Sequence, residues 1–329
     1  MILAGDIGGT KTHLALYDEG GDLREPRLDR RYPSRESSAL GDIVARFLDG
    51  APGRPRRAVF GIAGPVVGDR SETTNLPWEV DARALAAQMN GARVTLINDL
   101  VATAHGIDAL RAGDLETVAP GRHVRGNRAL IAAGTGLGEA LIPWIDGRWA
   151  PAPSEGGHSD FGPRDALEDE LLGWLRAKYG RVSYERVLSG PGIADLYRFM
   201  RETRRGEEPA TFAAAFDNAP DPAVEVTRAA LQGACERARL TVERFLEIYG
   251  AEAGNLALKA LAVGGVYVGG GIAPRLRALL RGSRFVHAFR EKGRLQPLME
   301  SIPVQIVLDP QTALWGAATL ALATAEEHV

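Results

Sequence analysis

The stretch Ile2-Leu3-Ala4-Gly5-Asp6-Ile7-Gly8-Gly9-Thr10-Lys11-Thr12-His13-Leu14-Ala15-Leu16-Tyr17 runs apolar, turns through glycines and returns as an apolar alternation. That pattern predicts a β-hairpin. It is repeated in kind midway along the chain, where Leu130-Ile131-Ala132-Ala133 enters Gly134-Thr135-Gly136-Leu137-Gly138 and leaves through Ala140-Leu141-Ile142-Pro143-Trp144. Two strand, Gly/Thr turn, strand units predict two halves of related architecture, each offering a glycine loop. A ligand cleft between the two lobes is the expected consequence.

Further strands are predicted at Ala58 to Ile62, Val94 to Ile97, Gly265 to Val268 and Val304 to Val307. Helical periodicity covers Ser37 to Leu48, Ala82 to Met89, Ala166 to Lys178, Gly192 to Glu202, Ala223 to Tyr249, Glu252 to Ala262, Ala273 to Leu280 and Gln311 to Ala325. The alternation defines an α/β protein. We expect a small lobe over residues 1–108, completed by a helix within 310–329, and a large lobe over 109–309. The charged stretch Arg201 to Glu208 reads as a solvated loop.

With 329 residues, 45% hydrophobic and 25% charged, the chain has ample material for two cores. A net charge of -3 gives no reason to expect nucleic acid or an anionic membrane as partner. Apolar runs such as Leu256 to Val263 are too short to span a bilayer, and Met1 leads directly into the first strand with no signal-peptide pattern, so a cytoplasmic protein is expected. Cys235 is the only cysteine, which excludes an internal disulfide and any multi-cysteine zinc site. Inside the helix expected at Ala223 to Tyr249 it reads as a packing residue.

Gly8-Gly9-Thr10 can cradle a phosphate with backbone N–H groups and a hydroxyl, although a tight turn needs the same glycines for shape alone. The second loop, Gly134-Thr135-Gly136, and Gly269-Gly270-Gly271 between a strand and a helix strengthen the nucleotide reading. Neither a Walker A loop nor a Rossmann fingerprint is present. Asp6, at the end of the first strand, could hold Mg²⁺ through water or simply cap the turn. Asn98-Asp99 ends a strand and opens a helix. Both are good helix caps, but strand ends are also where open α/β sheets collect ligands. A carboxylate there can take the proton of a hydroxyl attacking a γ-phosphorus, so Asp99 is the candidate general base. Glu155-Gly156-Gly157-His158 and Asp160 suit sugar hydroxyls better than a transition metal, because only one His and no thiolate are at hand. Glu185 beside Arg186 reads from the residues alone as a solvated charge.

Taken in order, Gly5-Asp6-Ile7-Gly8-Gly9-Thr10, Thr74-Asn75-Leu76-Pro77-Trp78, Ile97-Asn98-Asp99, Ala133-Gly134-Thr135-Gly136-Leu137-Gly138, Glu155-Gly156-Gly157-His158 and Val187-Leu188-Ser189-Gly190-Pro191-Gly192 resemble the bacterial glucokinase family over nearly the whole chain. The resemblance implies the actin-like ATPase (ribonuclease H-like) fold shared with hexokinases and acetate kinases, two lobes closing on ATP and sugar, and commonly a homodimer. It implies Asp99 as the base, and Asn98, Glu155, His158 and Glu185 on glucose hydroxyls, with Gly64-Pro65 and Asn75 lining the same pocket. ATP would meet Gly5, Asp6, Ile7, Gly8, Gly9, Thr10 and Lys11 on one side and Gly134, Thr135, Gly136, Gly269 and Gly270 on the other, with Mg²⁺ near Asp6. The cysteine-rich zinc motif of the related ROK sugar kinases is missing. Lys11 stands where many zinc-free glucokinases carry Asn, as in ROK members. Rival readings are a kinase for fructose, mannose or an N-acetylated hexosamine, a sugar-responsive transcription regulator, and an actin-like ATPase with no sugar site.

Overall fold

The opening hairpin forms as β1 (Ile2–Ile7) and β2 (Lys11–Tyr17), paired antiparallel with Gly5 opposite Leu14. Its counterpart is β10 (Arg128–Ala133) and β11 (Leu137–Ile142), with Ala132 opposite Gly138. The structure is a computed structural model describing residues 1–73 and 76–323. The chain divides into one unit formed by Met1–Asp114 with the segment from Asp309 onward, and a second formed by Leu115–Leu308.

In the N-terminal unit, β3 (Leu28–Pro33), β4 (Arg57–Ile62) and β8 (Arg93–Asn98) complete a sheet of order β3-β2-β1-β4-β8. A small sheet of β5 (Val66–Val67), β6 (Arg70–Glu72) and β7 (Glu79–Asp81) accompanies it. In the C-terminal unit, β9 (Leu115–Ala119), β14 (Ala152–Ser154), β15 (Gly265–Gly269) and β16 (Val304–Val307) extend the second hairpin into the order β14-β11-β10-β15-β16-β9, and β12 (Trp144–Ile145) pairs with β13 (Arg148–Trp149). The two main sheets repeat one plan: the first strand runs antiparallel to its hairpin partner and parallel to the strand on its other side. The hairpin partner then takes a further antiparallel strand at the edge.

Period-two alternation decides what covers each face of the first sheet. Ile2, Ala4, Ala15 and Tyr17 pack with Leu314, Ala317 and Ala318 of α12 (Thr312–Ala323). Leu3, Ile7, Leu14 and Leu16 pack with Ile43, Val44 and Phe47 of α1 (Leu40–Asp49) and Leu85 of α2 (Ala82–Gln88). Helix α1 begins three residues later than expected from Ser37. The Asp42 carboxylate draws the Ala39 N–H (3.2 Å) and Ser38 hydroxyl (2.6 Å) into an extended entry. Helix α3 (Asp99–Gly106) crosses α12 at backbone contact: a Cβ on Gly106 would overlap the Thr312 carbonyl, and one on Gly316 the Ala102 carbonyl.

The C-terminal unit adds α4 (Ala166–Tyr179), α5 (Gly190–Glu202), α6 (Ala210–Asp217), α7 (Pro222–Gln232), α8 (Glu236–Ala260), α9 (Ile272–Leu280), α10 (Arg284–Arg290) and α11 (Gln296–Ser301). The helix expected from Ala223 to Tyr249 is two helices. Gly233 adopts φ 65° and ends α7, and Cys235 is the extended residue preceding α8. Apolar spacing runs on through this break, which hides it from periodicity. Conversely, no break falls near Gly250. Helix α8 continues through it because Gly250 and Gly254 let α10 approach, and a Cβ at either would crowd the Phe285 or Phe289 carbonyl. Cys235 is buried, as expected. Arg201 to Glu208 is a solvated loop only in part: Glu202, Thr203, Arg204 and Glu207 are exposed. Arg201 and Glu202 close α5, and Glu208 accepts hydrogen bonds from Arg201 Nη2 (2.6 Å), Arg237 Nη1 (2.5 Å) and Tyr197 (2.5 Å). Strand β3 and the edge strands β9 and β14 had no sequence counterpart. The closing helix ends at Ala323 within the described residues.

Candidate active site

In the N-terminal unit, register brings the candidate acids together. Asp6 lies beside Gly61, and Gly61 beside Ile97, the residue before Asn98. A Cβ on Gly61 would stand 2.7 Å from Ala102 Cβ, so its lack of a side chain lets the first turn of α3 settle on the sheet. Asp99, the first residue of α3, thereby comes close enough to Asp6 for their charges to interact. Burial, with the Asp99 charge adding and Arg31 opposing, pushes the Asp6 carboxyl up to about 7. Asn98 is the N-cap: its Oδ1 accepts from the Leu100 N–H (2.9 Å) and the Val101 N–H (3.4 Å). Its amide donates to the Gly64 carbonyl (3.2 Å), tying down the Gly64-Pro65 turn, and Ser71 Oγ donates to the Pro65 carbonyl (2.9 Å). Asp99 Oδ1 accepts from the Leu100 N–H (2.9 Å).

The Gly8-Gly9-Thr10 turn is braced by Ser34, whose hydroxyl donates to the Gly8 carbonyl (2.8 Å) and whose N–H donates to the Thr10 carbonyl (3.0 Å). Two residues of the expected nucleotide stretch turn out to be core. Ile7 is buried, and Gly5 faces Phe60, where a Cβ would stand 2.5 Å from a ring carbon. Lys11 opens β2 with an exposed side chain. Asn75 lies outside the described residues.

The raised Asp6 carboxyl makes a prediction with a definite sign. The folded state binds this proton more tightly than an unfolded chain does, so stability falls as pH rises from about 4 towards 7. Asp6→Asn removes that cost. In EDTA, the unfolding free energy of the variant should exceed that of wild type by about 4 kcal/mol at pH 8, and the gap should close near pH 4. A constant gap at both pH values would refute the assignment.

In the C-terminal unit, Glu155 precedes the short turn Gly156–His158, and Glu185 sits in the turn Tyr184–Arg186. His158 lies between the two acids, with Nε2 3.9 Å from Glu155 Oε2 and Nδ1 4.0 Å from Glu185 Oε1. The geometry draws Glu185 into this cluster, where the residues alone had suggested a solvated charge. It accepts the Leu137 N–H (3.0 Å), and Gly136 leaves the space its carboxylate fills. Asp160 points elsewhere, paired with Arg181 at 2.7 Å. Two carboxylates and an imidazole at these separations match the donor and acceptor needs of adjacent sugar hydroxyls. Among the described residues no group of three or more His, Cys, Asp or Glu could hold a metal ion.

The same unit contains a cavity of about 760 Å³ lined by Gly134, Thr135, Gly190, Pro191, Gly271 and Ile272. The β10–β11 turn and the first residues of α5 and α9 meet there, so backbone N–H groups and helix N-termini converge as an anion site requires. The Gly190 N–H donates to the Gly134 carbonyl (2.8 Å), and the Tyr249 hydroxyl accepts from the Ala133 N–H (3.2 Å), fixing the start of the loop. Gly269 ends β15, and Gly270 (φ 79°), where a Cβ would overlap the Ala133 carbonyl, makes the turn into Gly271. Sequence reasoning missed the rim, where Lys178 and Arg198 pair with Asp195 at 2.7 and 2.8 Å.

Duplicated sheets of this order, with a cavity built from glycine turns in the second, are the architecture of sugar kinases with the actin-like ATPase fold. The glucokinase family model matches residues 3–324, and the chain belongs to that family. A glucokinase of Trichormus variabilis is 41% identical, covering 98% of each chain. The crystal structure of a glucokinase from an Antarctic psychrotroph superposes with a TM-score of 0.83 at 31% identity, over 97% of this chain and 98% of that one. A Balamuthia mandrillaris glucokinase solved in complex with glucose gives a TM-score of 0.78 at 21% identity, over 97% and 93%.

Proposed function

We propose that the protein transfers the γ-phosphoryl group of ATP to the 6-hydroxyl of D-glucose, giving glucose 6-phosphate and ADP. The observation that carries the chemistry is Asp99 at the first turn of α3, with Asp6 beside it. Asp99 accepts the hydroxyl proton as the sugar oxygen bonds to the γ-phosphorus and the bond to the ADP oxygen breaks. The glycine turns and helix N-termini of the 760 Å³ cavity bind the nucleotide. Paired carboxylates suit a divalent cation, and Asp6 would hold Mg²⁺ through water, where the bound ion neutralises phosphate charge. Glu155, His158, Glu185 and Asn98 orient the sugar through its hydroxyls.

The choice of glucose draws support from the glucose-bound relative and from the family. A coupled assay with MgATP, comparing glucose, fructose, mannose and N-acetylglucosamine against a no-sugar control, tests it. Turnover on glucose well above the others is expected, and preference for another hexose would overturn the substrate assignment. Replacing Glu155 by Ala should weaken sugar binding by about 1 to 3 kcal/mol, seen as a sugar KM raised roughly 5- to 150-fold, with little change in the ATP KM. An unchanged sugar KM would remove Glu155 from the site. As its setting we propose a homodimer acting in the cytoplasm at the entry of glucose into glycolysis. No helix among the described residues is long and apolar enough to cross a membrane.

A further inference from the structure

Beneath the Gly156–His158 turn lies an acid pair that no step of phosphoryl transfer uses. Glu139 projects from β11 and is 2% exposed, and Glu252 projects from α8 and is fully buried. Glu139 Oε2 lies so close under Gly156 that a Cβ there would overlap it, and Glu139 Oε1 has no hydrogen-bond partner among donors in the described residues. Glu252 is held by Asn255 Nδ2 (2.8 Å) and by Lys259 Nζ (3.5 Å), and the same Asn255 Nδ2 reaches the hydroxyl of Tyr184 (3.3 Å). Lys292 Nζ faces the same group from the segment after α10, donating to Asn255 Oδ1 (2.6 Å) and the Ala251 carbonyl (2.9 Å), and Tyr249 of α8 lies near enough to Glu139 for its hydroxyl to feel that charge. Tyr184 is the residue before Glu185. The acid pair therefore reaches both turns that carry the proposed sugar ligands, one directly and the other through Asn255. The two carboxyl groups lie within hydrogen-bonding reach of each other, and a bond between them needs a proton on one.

We propose that Glu139 and Glu252 share one proton, and that this buried pair positions the sugar-binding turns. Glu139 supports Gly156–His158 from below, and Glu252, through the Asn255 amide that also meets the Tyr184 hydroxyl, holds the turn bearing Glu185. The proposal rests on the assignment of Glu155, His158 and Glu185 to the sugar. Burial, together with the Glu252 charge and against Lys259, pushes Glu139 up to about 7. Losing the proton places two negative charges side by side under Gly156, so sugar affinity falls as pH rises through neutrality. Neither acid lines the nucleotide cavity, so the ATP KM stays level.

The test is sugar KM and ATP KM measured from about pH 6 to about pH 9 for wild type, Glu139→Gln and Glu252→Gln. For wild type the sugar KM should rise about tenfold over that range while the ATP KM holds. Either glutamine, neutral at every pH and able to donate to the remaining carboxylate, should keep the low-pH sugar KM and remove the rise. Two variants cover the failure of one to fold. A level sugar KM in wild type, a rise that survives both substitutions, or an ATP KM that climbs in step would each overturn the pair's role. Glu155→Ala, measured alongside, separates the two layers of argument. If it raises sugar KM while the glutamine variants keep the wild-type pH profile, the acid pair alone is refuted. If it leaves sugar KM untouched, the site assignment beneath the proposal is refuted with it.

Discussion

Asp99→Asn should lower kcat by about 10²- to 10⁴-fold while leaving the sugar KM nearly unchanged. The amide keeps the size of the carboxylate and can keep the hydrogen bond from the Leu100 N–H, so α3 retains its start. What it loses is the ability to take a proton. The substitution also removes the negative charge that helps to raise Asp6, so thermal stability near pH 8 should hold or increase. That divergence separates a catalytic role from a structural one. A fall in Tm matching the fall in kcat would make Asp99 a capping residue, and a near-normal kcat would remove it as the base.

The second large effect is expected far from any reacting atom. Gly316→Ala places a Cβ into the Ala102 carbonyl, where backbone rather than a flexible side chain stands in the way. The α3–α12 crossing must open, and we expect a loss of about 3 kcal/mol of stability, seen as a lower midpoint in urea. Because Asp99 rides on α3, kcat should fall in the folded fraction as well. Gly173→Ala is the control. Its Cβ would meet nothing within 4 Å in helix α4, and the change should be neutral or stabilising by up to about 1 kcal/mol. A Gly316 variant as stable as the Gly173 variant would show that the helices separate at little cost.

Both hairpins, the parallel strands beside them and the Asn98-Asp99 strand end were legible from residue order. A strand buried on both faces must be apolar throughout, and the turns that end such strands need glycine wherever backbone approaches backbone. The edge strand β3, Leu-Asp-Arg-Arg-Tyr-Pro, carries no such mark, because a strand with solvent on one side is defined by its partner β2. Helix ends inside the Ala223 to Ala260 region were misplaced for a related reason: helical spacing persists across Gly233, while Gly250, which resembles a stop, serves contact with α10.

The sequence by itself determined the α/β class, the doubled glycine hairpin and the candidate base, since each depends on neighbours along the chain. Only the tertiary structure decided that Gly5 and Ile7 belong to the core, that Glu185 joins His158, that Lys178, Asp195 and Arg198 form a cavity rim, and that Glu139 meets Glu252. The physical reason is that burial and electrostatic coupling depend on distance in space. Residues on separate elements acquire their environment only when sheet register and helix crossings set that distance.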